Sequence, residues 1–323
     1  MNATVAVIIA AYNAEATLER AIDSALAQPE TAQVCVVDDG SRDGTLAVAR
    51  AAALRDARVL ALTQVNAGPA AARNAAIAAT TAPWIAILDS DDYMLPGRLA
   101  TLMAAAEGAD FVADALMRVR EEDPAPALNG TGFTPTTLDF ENFVRGNMSV
   151  AHGLDLGFLK PVMRRGFLET HALTYRGLRL GEDYDFYCRA LLHGARFLVG
   201  GSAGYISIDR PGSLSNDHTA EDLRQMRDCD SAYPAIRPLT KRERDVLRQH
   251  WARVDCRLQW RLLIDAVKRR DAMAAISTFH SPPAARYLAA RLGEQLWQRG
   301  PLRVWLTVAS MFSQGEAPPG VVA

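Results

Sequence analysis

Three aspartates follow one apolar run in the stretch "AILDSDDYMLPGR", residues 86–98. Asp89, Asp91 and Asp92 repel one another, because two unit charges about 4 Å apart cost on the order of 1 kcal/mol in water and about 4 kcal/mol near a protein surface. A divalent cation removes this repulsion, and Mg²⁺ or Mn²⁺ prefers carboxylate oxygens together with substrate phosphates. The alternative is a solvated turn before a helix near Pro96. The spacing favours a site for a cation and an anionic diphosphate.

A second acidic pair, Glu182 and Asp183, stands just before a helical pattern in "LRLGEDYDFYCRA", residues 178–190. Acidic residues in the first turn of a helix complement the helix dipole, and this is the simpler interpretation. A helix that begins inside a cleft can instead present Asp183 as a general base. The sequence leaves both interpretations open.

Two further segments carry residues that could hold a nucleotide. In "DDGSRDGT", residues 38–45, Asp39 could accept hydrogen bonds from a base or ribose, whereas a turn with a helix cap is the alternative. A calcium loop that starts at Asp39 is excluded, because Arg50 stands where a bidentate acid is required. In "NAGPAAARN", Arg73 lies one turn into a helix and could approach a phosphate or a base; the alternative is a surface arginine.

Several classes of protein are disfavoured by composition and by absent motifs. The formal net charge of −2 provides no overall basic field for nucleic acid. The chain has no GxGxxG after its first apolar run, no GxxxxGK[ST], and no glycine-rich loop of the sugar-nucleotide pyrophosphorylase kind. Its scattered cysteines fit reduced thiols in a cytosol; they are Cys35, Cys188, Cys229 and Cys256. We find no signal-peptide pattern and no apolar run long enough to span a membrane.

Strands and helices alternate through residues 4–113, and the candidate site residues follow the strands. The predicted strands are apolar almost throughout, which indicates a parallel sheet covered on both faces; they are residues 4–10, 33–37, 58–62 and 84–88. Helices are predicted between them, the first with Asn13 as its N-cap. Because ligands bind beyond the carboxyl ends of strands in such sheets, the clusters should meet at one edge.

The pattern changes after about residue 113. A polar segment at 120–132 predicts a loop, residues 138–145 and 181–195 predict helices, and residues 219–313 read as mostly helical. Two late strands are predicted at "RFLVG" and "YISI". The predicted organisation is a domain over 1–218, with a nucleotide-binding half to about 113 and an acceptor-binding half from 114, followed by a helical region over 219–323.

Taken together, five stretches resemble the family 2 glycosyltransferases. They occur in family order over roughly residues 4–200 and read "VIIAAYNAEATLERAIDSALAQ", "VVDDGSRDGT", "NAGPAAARNAAI", "WIAILDSDD" and "GEDYDFYCRA". The resemblance implies an α/β chain with the GT-A nucleotide-diphospho-sugar transferase fold, a mostly parallel sheet flanked by helices. It also implies transfer of one sugar from a nucleotide donor, usually UDP-linked, with inversion at the anomeric carbon.

By the same resemblance, Ala10, Tyr12 and Asp39 would line the uracil and ribose pocket, and Arg73 would face the base or diphosphate. Asp89 and Asp91 match the DxD motif, with Asp91 as the favoured metal or ribose contact. Asp92 lies close by as a further metal ligand. Asp183 matches the catalytic base, and Glu182 would support the acceptor.

The segment "IDRPGSLSNDH", residues 208–218, is similar to the Arg-x-x-x-Ser segment of the family. This implies a segment that folds over the donor and a metal contact from His218; a polar surface loop with a lone histidine is the alternative. The QxxRW motif of processive synthases is not found, since Gln259 and Trp260 stand in the wrong order in "DCRLQWRLL". The sequence therefore favours single-residue addition.

The resemblance implies a Mn²⁺ or Mg²⁺ cofactor and a saccharide or lipid-linked acceptor in exopolysaccharide or surface-glycan biosynthesis. The expected location is the cytoplasm, with peripheral contact at the inner face of the cell membrane through the basic helix at 241–270 and the segment 300–314. Packing of Leu258, Leu262 and Trp305 onto the catalytic domain or a second subunit, as in a homodimer, is the alternative. The rival functions are a non-catalytic donor-binding scaffold and a sugar-nucleotide nucleotidylyltransferase.

Overall fold

The computed structural model describes residues 4–123, 126, 133–148, 156–209 and 218–299. It divides into two compact units. The first unit holds the described residues up to 209 together with Ser231–Leu247, and the second holds His218–Asp230 and the described residues from 248 onwards. The predicted boundary at residue 218 stays a prediction.

A large mixed sheet forms the centre of the first unit. Its strands, in spatial order, are β3 (Val59–Thr63), β2 (Thr31–Asp38), β1 (Val5–Ala11), β4 (Trp84–Ile87), β9 (Val162–Arg164), β6 (Phe111–Asp114), β10 (Phe197–Gly200) and β8 (Thr136–Leu138). Within the described chain, β9 is antiparallel to both of its neighbours and β8 is antiparallel to β10. The other neighbouring pairs are parallel, which confirms a mostly parallel sheet.

The four predicted N-terminal strands and their helices form as expected. The predicted helices are α1 (Leu18–Leu26), α2 (Thr45–Arg55) and α3 (Pro69–Ala78); a further helix, α4 (Arg98–Ala104), follows the acidic stretch. Helix α1 buries the apolar stripe Leu18, Ala21, Ile22 and Ala25 at helical spacing. Asn13 is not its N-cap, because Thr17 occupies that position. Asn13 instead adopts a left-handed φ of 49° and accepts a 2.9 Å hydrogen bond from the Arg42 amide.

A smaller sheet was not predicted as such. It pairs β5 (Tyr93–Met94), β11 (Tyr205–Asp209) and β7 (Met117–Arg120), in that order. Strand β5 directly follows the acidic stretch, and its pairing with β11 places the predicted "YISI" strand beside that stretch. This small sheet therefore fixes the backbone just after Asp92.

The second half of the first unit packs helices around an aromatic core. These helices are α5 (Phe140–Met148), α6 (Arg165–Thr170) and α7 (Glu182–Leu192), with 3₁₀ turns at Leu156–Phe158 and Tyr233–Ala235. Phe111 on β6 contacts the rings of Phe167, Phe186, Tyr187 and Phe197. Because α7 is buried along nearly its whole length, Glu182 and Asp183 at its first turn are held rigidly.

Further helices are α8 (Ala220–Ala232), α9 (Lys241–Arg269), α10 (Ala272–Ser277) and α11 (Pro282–Arg299). They confirm the helical prediction as far as residue 299. None of the helices in the described ranges is both long enough and apolar enough to cross a membrane. Leu258 is buried and Leu262 half-buried. The predicted surface segment 300–314, with Trp305, lies outside the described residues.

Candidate active site

Four charged side chains form a closed ring of alternating sign at the carboxyl end of β4. The Arg73 guanidinium donates to Asp89 Oδ1 at 2.9 Å and to Asp183 Oδ1 at 3.2 Å. The Lys160 ammonium lies 2.9 Å from Asp89 Oδ2 and donates to Asp183 Oδ2 at 2.8 Å. The ring joins α3, the end of β4, the segment before β9 and the start of α7. It thus brings together residues that the sequence predicts from three separate motifs.

Charge within this ring determines the protonation of Asp89. Burial alone raises the pKa of its carboxyl, but Lys160 and Arg73 outweigh burial and lower that pKa to about 2. About a third of the Asp89 side chain remains exposed, whereas Lys160 and Arg73 are almost completely buried. Asp89 is therefore an ionised carboxylate that faces the solvent side of the site, backed by two cations.

Glu182 lies beside the ring and is less strongly compensated. Its Oε1 accepts a 3.1 Å hydrogen bond from the same Arg73 nitrogen that contacts Asp183. Burial, and then the neighbouring Asp183 carboxylate, raise the pKa of Glu182 above its ordinary value. Two adjacent acids at the start of α7 thus differ in their surroundings, since Asp183 holds both cations and Glu182 shares one.

Lys160 is the functional candidate that the sequence prediction missed. It stands between Leu159 and Pro161, where a single lysine before a short apolar strand carries no distinctive pattern. Its ammonium is buried between two carboxylates, and these raise its pKa despite the burial. Lys160 reaches the two carboxylates because β9, which follows it, pairs antiparallel with β4.

Arg73 is positioned by the residues next to it on α3 and by an aromatic stack. The Asn74 side chain donates to the Tyr175 carbonyl at 2.7 Å and accepts from the Tyr175 amide at 2.9 Å. The Tyr175 ring stacks on Phe186 at 4.2 Å and lies 5.3 Å from the Arg73 guanidinium carbon. These contacts fix the guanidinium plane, which adds a cation–π attraction to its ion pairs.

Asp92 points away from the ring and towards the small sheet. Its Oδ2 accepts a 2.9 Å hydrogen bond from the Tyr205 hydroxyl, and its Oδ1 accepts one of 2.9 Å from the Ile208 amide. The Tyr205 hydroxyl in turn accepts from the Asp89 amide at 3.1 Å. Burial, followed by repulsion from Asp89 and Asp91, raises the pKa of Asp92 to about 7. Asp92 thus fastens the acidic stretch to β11.

Asp91 is the remaining carboxylate of the acidic stretch. It is half-buried, and its carbonyl accepts a 2.8 Å hydrogen bond from Arg20. Within the described ranges, no three His, Cys, Asp or Glu side chains are grouped so that they alone could hold a metal ion. The metal contacts that the sequence predicts for Asp91 and Asp92 stay predictions.

The predicted nucleotide pocket lies at the ends of β1 and β2. Ala10 pairs with Val37 in the parallel register, and Tyr12 is exposed just beyond β1. The Asp39 carboxylate accepts hydrogen bonds from the Gln64 side chain at 2.7 Å and from two backbone amides. Those amides belong to Ala67, at 2.9 Å, and Gly68, at 2.8 Å. Asp39 therefore organises the loop that leads into α3.

The described residues do not test the predictions for His218 and for the segment before it. Residues 210–217 lie outside the described residues, and His218 belongs to the second unit. The metal contact that the sequence predicts for His218 stays a prediction, as does the folding of 208–218 over a donor.

With the geometry described, comparison with known proteins identifies the family. The model of glycosyl transferase family 2 matches residues 6–165. The succinoglycan biosynthesis protein ExoU of Rhizobium meliloti (strain 1021) is 41% identical over 289 residues, covering 87% of this chain and 84% of the relative. The chain belongs to glycosyl transferase family 2. ExoO of the same organism, also a succinoglycan biosynthesis protein, is 33% identical, with 90% of this chain and 85% of the relative covered.

Solved structures support the fold of this family 2 member. TarS residues 1–349 of S. aureus, in complex with UDP-GlcNAc, superpose with a TM-score of 0.62 at 18% identity, covering 86% of this chain and 91% of TarS 1–349. The mannosyltransferase PcManGT of Pyrobaculum calidifontis, in complex with GDP-Man and Mn²⁺, gives a TM-score of 0.54 at 19% identity, with 96% and 85% covered. The predicted GT-A fold is confirmed.

Proposed function

We propose that this family 2 glycosyltransferase moves one sugar from a nucleotide-diphosphate sugar to a saccharide or lipid-linked acceptor in exopolysaccharide assembly. The observation that carries the proposal is the bridging of Asp89 and Asp183 by Arg73 and Lys160 in one buried ring. Such a ring holds a solvent-facing carboxylate and a candidate base side by side. Exopolysaccharide is proposed because two relatives that span most of this chain are named for succinoglycan biosynthesis.

A UDP-linked donor is the proposed substrate. Ala10, Tyr12 and Asp39 stand at the ends of β1 and β2, where nucleotides bind in open parallel sheets. TarS was solved with UDP-GlcNAc and PcManGT with GDP-Man, so both kinds of nucleotide belong in a screen. Arg73 would face the diphosphate or the base, with Asp89 and Asp91 beside the ribose and diphosphate.

The proposed chemistry is a single displacement with inversion. The acceptor hydroxyl attacks the anomeric carbon on the face opposite the nucleoside diphosphate. A new carbon–oxygen bond forms as the bond to the diphosphate breaks, and the hydroxyl proton passes to Asp183. Each Asp183 oxygen accepts one hydrogen bond from the ring, which leaves lone pairs for that proton. Glu182 would orient the acceptor from the same helix turn.

A divalent cation, Mn²⁺ or Mg²⁺, fits the proposed site through Asp91. The chemistry of the donor set supports this, since a half-buried carboxylate suits a cation that also takes phosphate oxygens. The metal contact predicted for Asp92 stays a prediction; each of its oxygens already accepts one hydrogen bond, from Tyr205 or from Ile208. When bound, the cation would neutralise charge on the departing diphosphate.

Peripheral membrane contact is proposed for the helical second unit. Residues 248–299 carry ten Arg and Lys against four Asp and Glu. Met273, Ile276 and Trp297 expose most of their side chains to solvent. Basic residues beside exposed apolar ones suit an anionic bilayer that holds a lipid-linked acceptor. Alternatively, the same exposed side chains form the interface of a homodimer. We propose a cytoplasmic location in both cases.

A screen of nucleotide sugars tests the proposed function. UDP-glucose, UDP-galactose, UDP-N-acetylglucosamine and GDP-mannose are each added with and without Mn²⁺, and thermal stabilisation of the chain is measured. Nucleoside diphosphate release is then followed with alkyl glycosides as acceptors. We expect one donor class to stabilise the chain and to be turned over. Binding without release to any acceptor favours the scaffold function, and pyrophosphate release from UTP with a sugar phosphate favours the nucleotidylyltransferase.

A further inference from the structure

The charged side chain of Lys160 is buried. A lysine side chain that is only 4% exposed has lost nearly all of its hydration, and this is costly unless carboxylates compensate it. Both compensating groups, Asp89 and Asp183, belong to the proposed active site. The Lys160 ammonium lies between them and contacts both.

The backbone that carries Lys160 is fixed on two sides. The Tyr187 hydroxyl, on the same helix as Asp183, donates to the Leu159 carbonyl at 2.7 Å. The fully buried Arg98 donates to the Lys160 carbonyl at 2.5 Å, and it also pairs with Asp114 at 2.8 Å. Neighbouring elements therefore fix the backbone position from which the Lys160 side chain reaches Asp89 and Asp183.

The two carboxylates that contact Lys160 have different proposed roles. Asp89 lies just after β4 and would contact the donor, whereas Asp183 lies in the first turn of α7 and would contact the acceptor. Arg73 makes the same bridge from α3, but it divides its donors among three acids. Among the residues that the structure describes, the ion pairs of Lys160 are confined to Asp89 and Asp183.

We infer that Lys160 is a positioning residue that sets the separation and orientation of Asp89 and Asp183. The inference rests on the proposed function and names a residue that the family resemblance did not. Lys160 touches no reacting atom; it acts through the two carboxylates that it bridges.

The charged and titratable groups around Asp183 determine what removal of Lys160 does. They are Arg73 and Asp89, Lys160, Tyr175 from the loop before α7, and Glu182 and Tyr187 from α7 itself. Of these, Arg73 and Lys160 carry the positive charge. Loss of Lys160 leaves Arg73 as the remaining cation between Asp89 and Asp183, so the two carboxylates repel each other more strongly and their separation changes.

The test compares the kcat of nucleoside diphosphate release and the Kd for UDP in wild type and in Lys160→Met, with the donor found in the screen. For Lys160→Met we expect kcat to fall about 10- to 100-fold near neutral pH, because a base displaced by about 1 Å loses efficiency on that scale. The Kd for UDP should change by less than about fivefold, since the nucleotide pocket keeps its own contacts. A lysine that only stabilises the fold would instead impair both quantities together.

Controls separate this inference from the proposed function. Arg50→Met removes an exposed cation of α2 and should leave kcat and the Kd for UDP unchanged. A wild-type kcat in Lys160→Met would overturn the inference. If Lys160→Met no longer binds UDP, Lys160→Arg decides: a reduced kcat with a wild-type Kd for UDP supports the inference, and loss of both rejects it. Absence of turnover by wild type itself would reject the proposed function, and the inference with it.

Discussion

The Asp39 side chain holds the loop that precedes α3. Its carboxylate accepts three hydrogen bonds from the loop at Gln64, Ala67 and Gly68, and that loop leads directly into the helix that carries Arg73. Gly68 has a φ of 88°, a left-handed conformation that glycine adopts without steric cost. One carboxylate thus links the proposed donor pocket to the charged ring.

We predict that Asp39→Asn weakens UDP binding by about 10- to 100-fold, because an amide nitrogen cannot accept the hydrogen bonds that a carboxylate oxygen accepts. Isothermal titration calorimetry of UDP against both proteins measures this change. Asp56→Asn is the control, since Asp56 pairs with Arg58 on the surface and away from the ends of β1 and β2. Equal UDP affinity in Asp39→Asn and wild type would contradict the assigned role.

The sequence predicts some site residues well and others not at all. Asp39, Asp89 and Asp183 stand at strand ends or a helix start within dense acidic motifs, so their type and place both signal function. Lys160 and Tyr205 carry no such signal. Their roles arise from β9 and β11, which bring them to Asp89 across 71 and 116 residues of chain respectively. Contacts at that separation depend on topology, which the local pattern does not contain.

At the scale of elements, α9 begins with a reciprocal cap that also holds an ion pair. The Thr240 amide donates to Glu243 Oε2 at 2.8 Å, and the Glu243 amide donates to Thr240 Oγ1 at 3.2 Å. Glu243 Oε1 accepts a 2.7 Å hydrogen bond from Arg237. This arrangement is a capping box, and it fixes where the longest described helix starts.

We predict that Glu243→Gln lowers the free energy of unfolding by about 1–2 kcal/mol at neutral pH, and by less as the pH falls. The hydrogen bond from Arg237 lowers the pKa of Glu243 to about 2, below its ordinary value near 4.5. A carboxyl with a lowered folded-state pKa stabilises the fold above the unfolded-state value. This contribution disappears as the pH falls from about 5 towards about 2.

Urea denaturation of Glu243→Gln and wild type between about pH 3.5 and 7 measures the effect. Glu107→Gln, at an exposed position, is the matched control and should stay within about 0.5 kcal/mol of wild type. A Glu243→Gln deficit that is independent of pH would show that the capping geometry, rather than the charge, carries the stabilisation.

Elements differ in how far the sequence predicts them. Strands β1, β2 and β4 were predicted because both faces of each are mostly buried, so their apolar runs are nearly continuous. Strand β3 has the same apolar composition but lies at the sheet edge and is partly exposed. Strands β5, β7 and β9 are two to four residues long, and β7 alternates between half-buried and exposed positions. Runs that short have no readable period, and only their partners define them as strands.

At the scale of the whole molecule, the helices beyond residue 248 expose apolar side chains on a basic background. Trp297 is 91% exposed, Met273 77% and Ile276 63%. Exposed apolar side chains of this size suit a partner or a lipid surface. The peripheral membrane contact proposed above would use them.

We predict that the chain floats with vesicles of phosphatidylglycerol and phosphatidylcholine, and that Trp297→Ser lowers the bound fraction by roughly tenfold. Added salt should weaken binding as well, because the basic residues contribute through charge. Leu54→Ser, which changes an equally exposed apolar residue of the first unit, is the control and should bind as wild type does. Sedimentation of the chain as a dimer without vesicle binding would favour the homodimer.

The central claim is that Asp183 takes the proton of an acceptor hydroxyl as the sugar leaves its nucleotide. The most direct measurement compares wild type and Asp183→Asn for two quantities, the rate of nucleoside diphosphate release with an acceptor and the Kd for UDP. We predict a fall in the rate of at least about 10³-fold, since general bases contribute on the order of 10²- to 10⁴-fold, while the Kd stays within about threefold. Turnover by Asp183→Asn near the wild-type rate would contradict the assignment of Asp183 as the base.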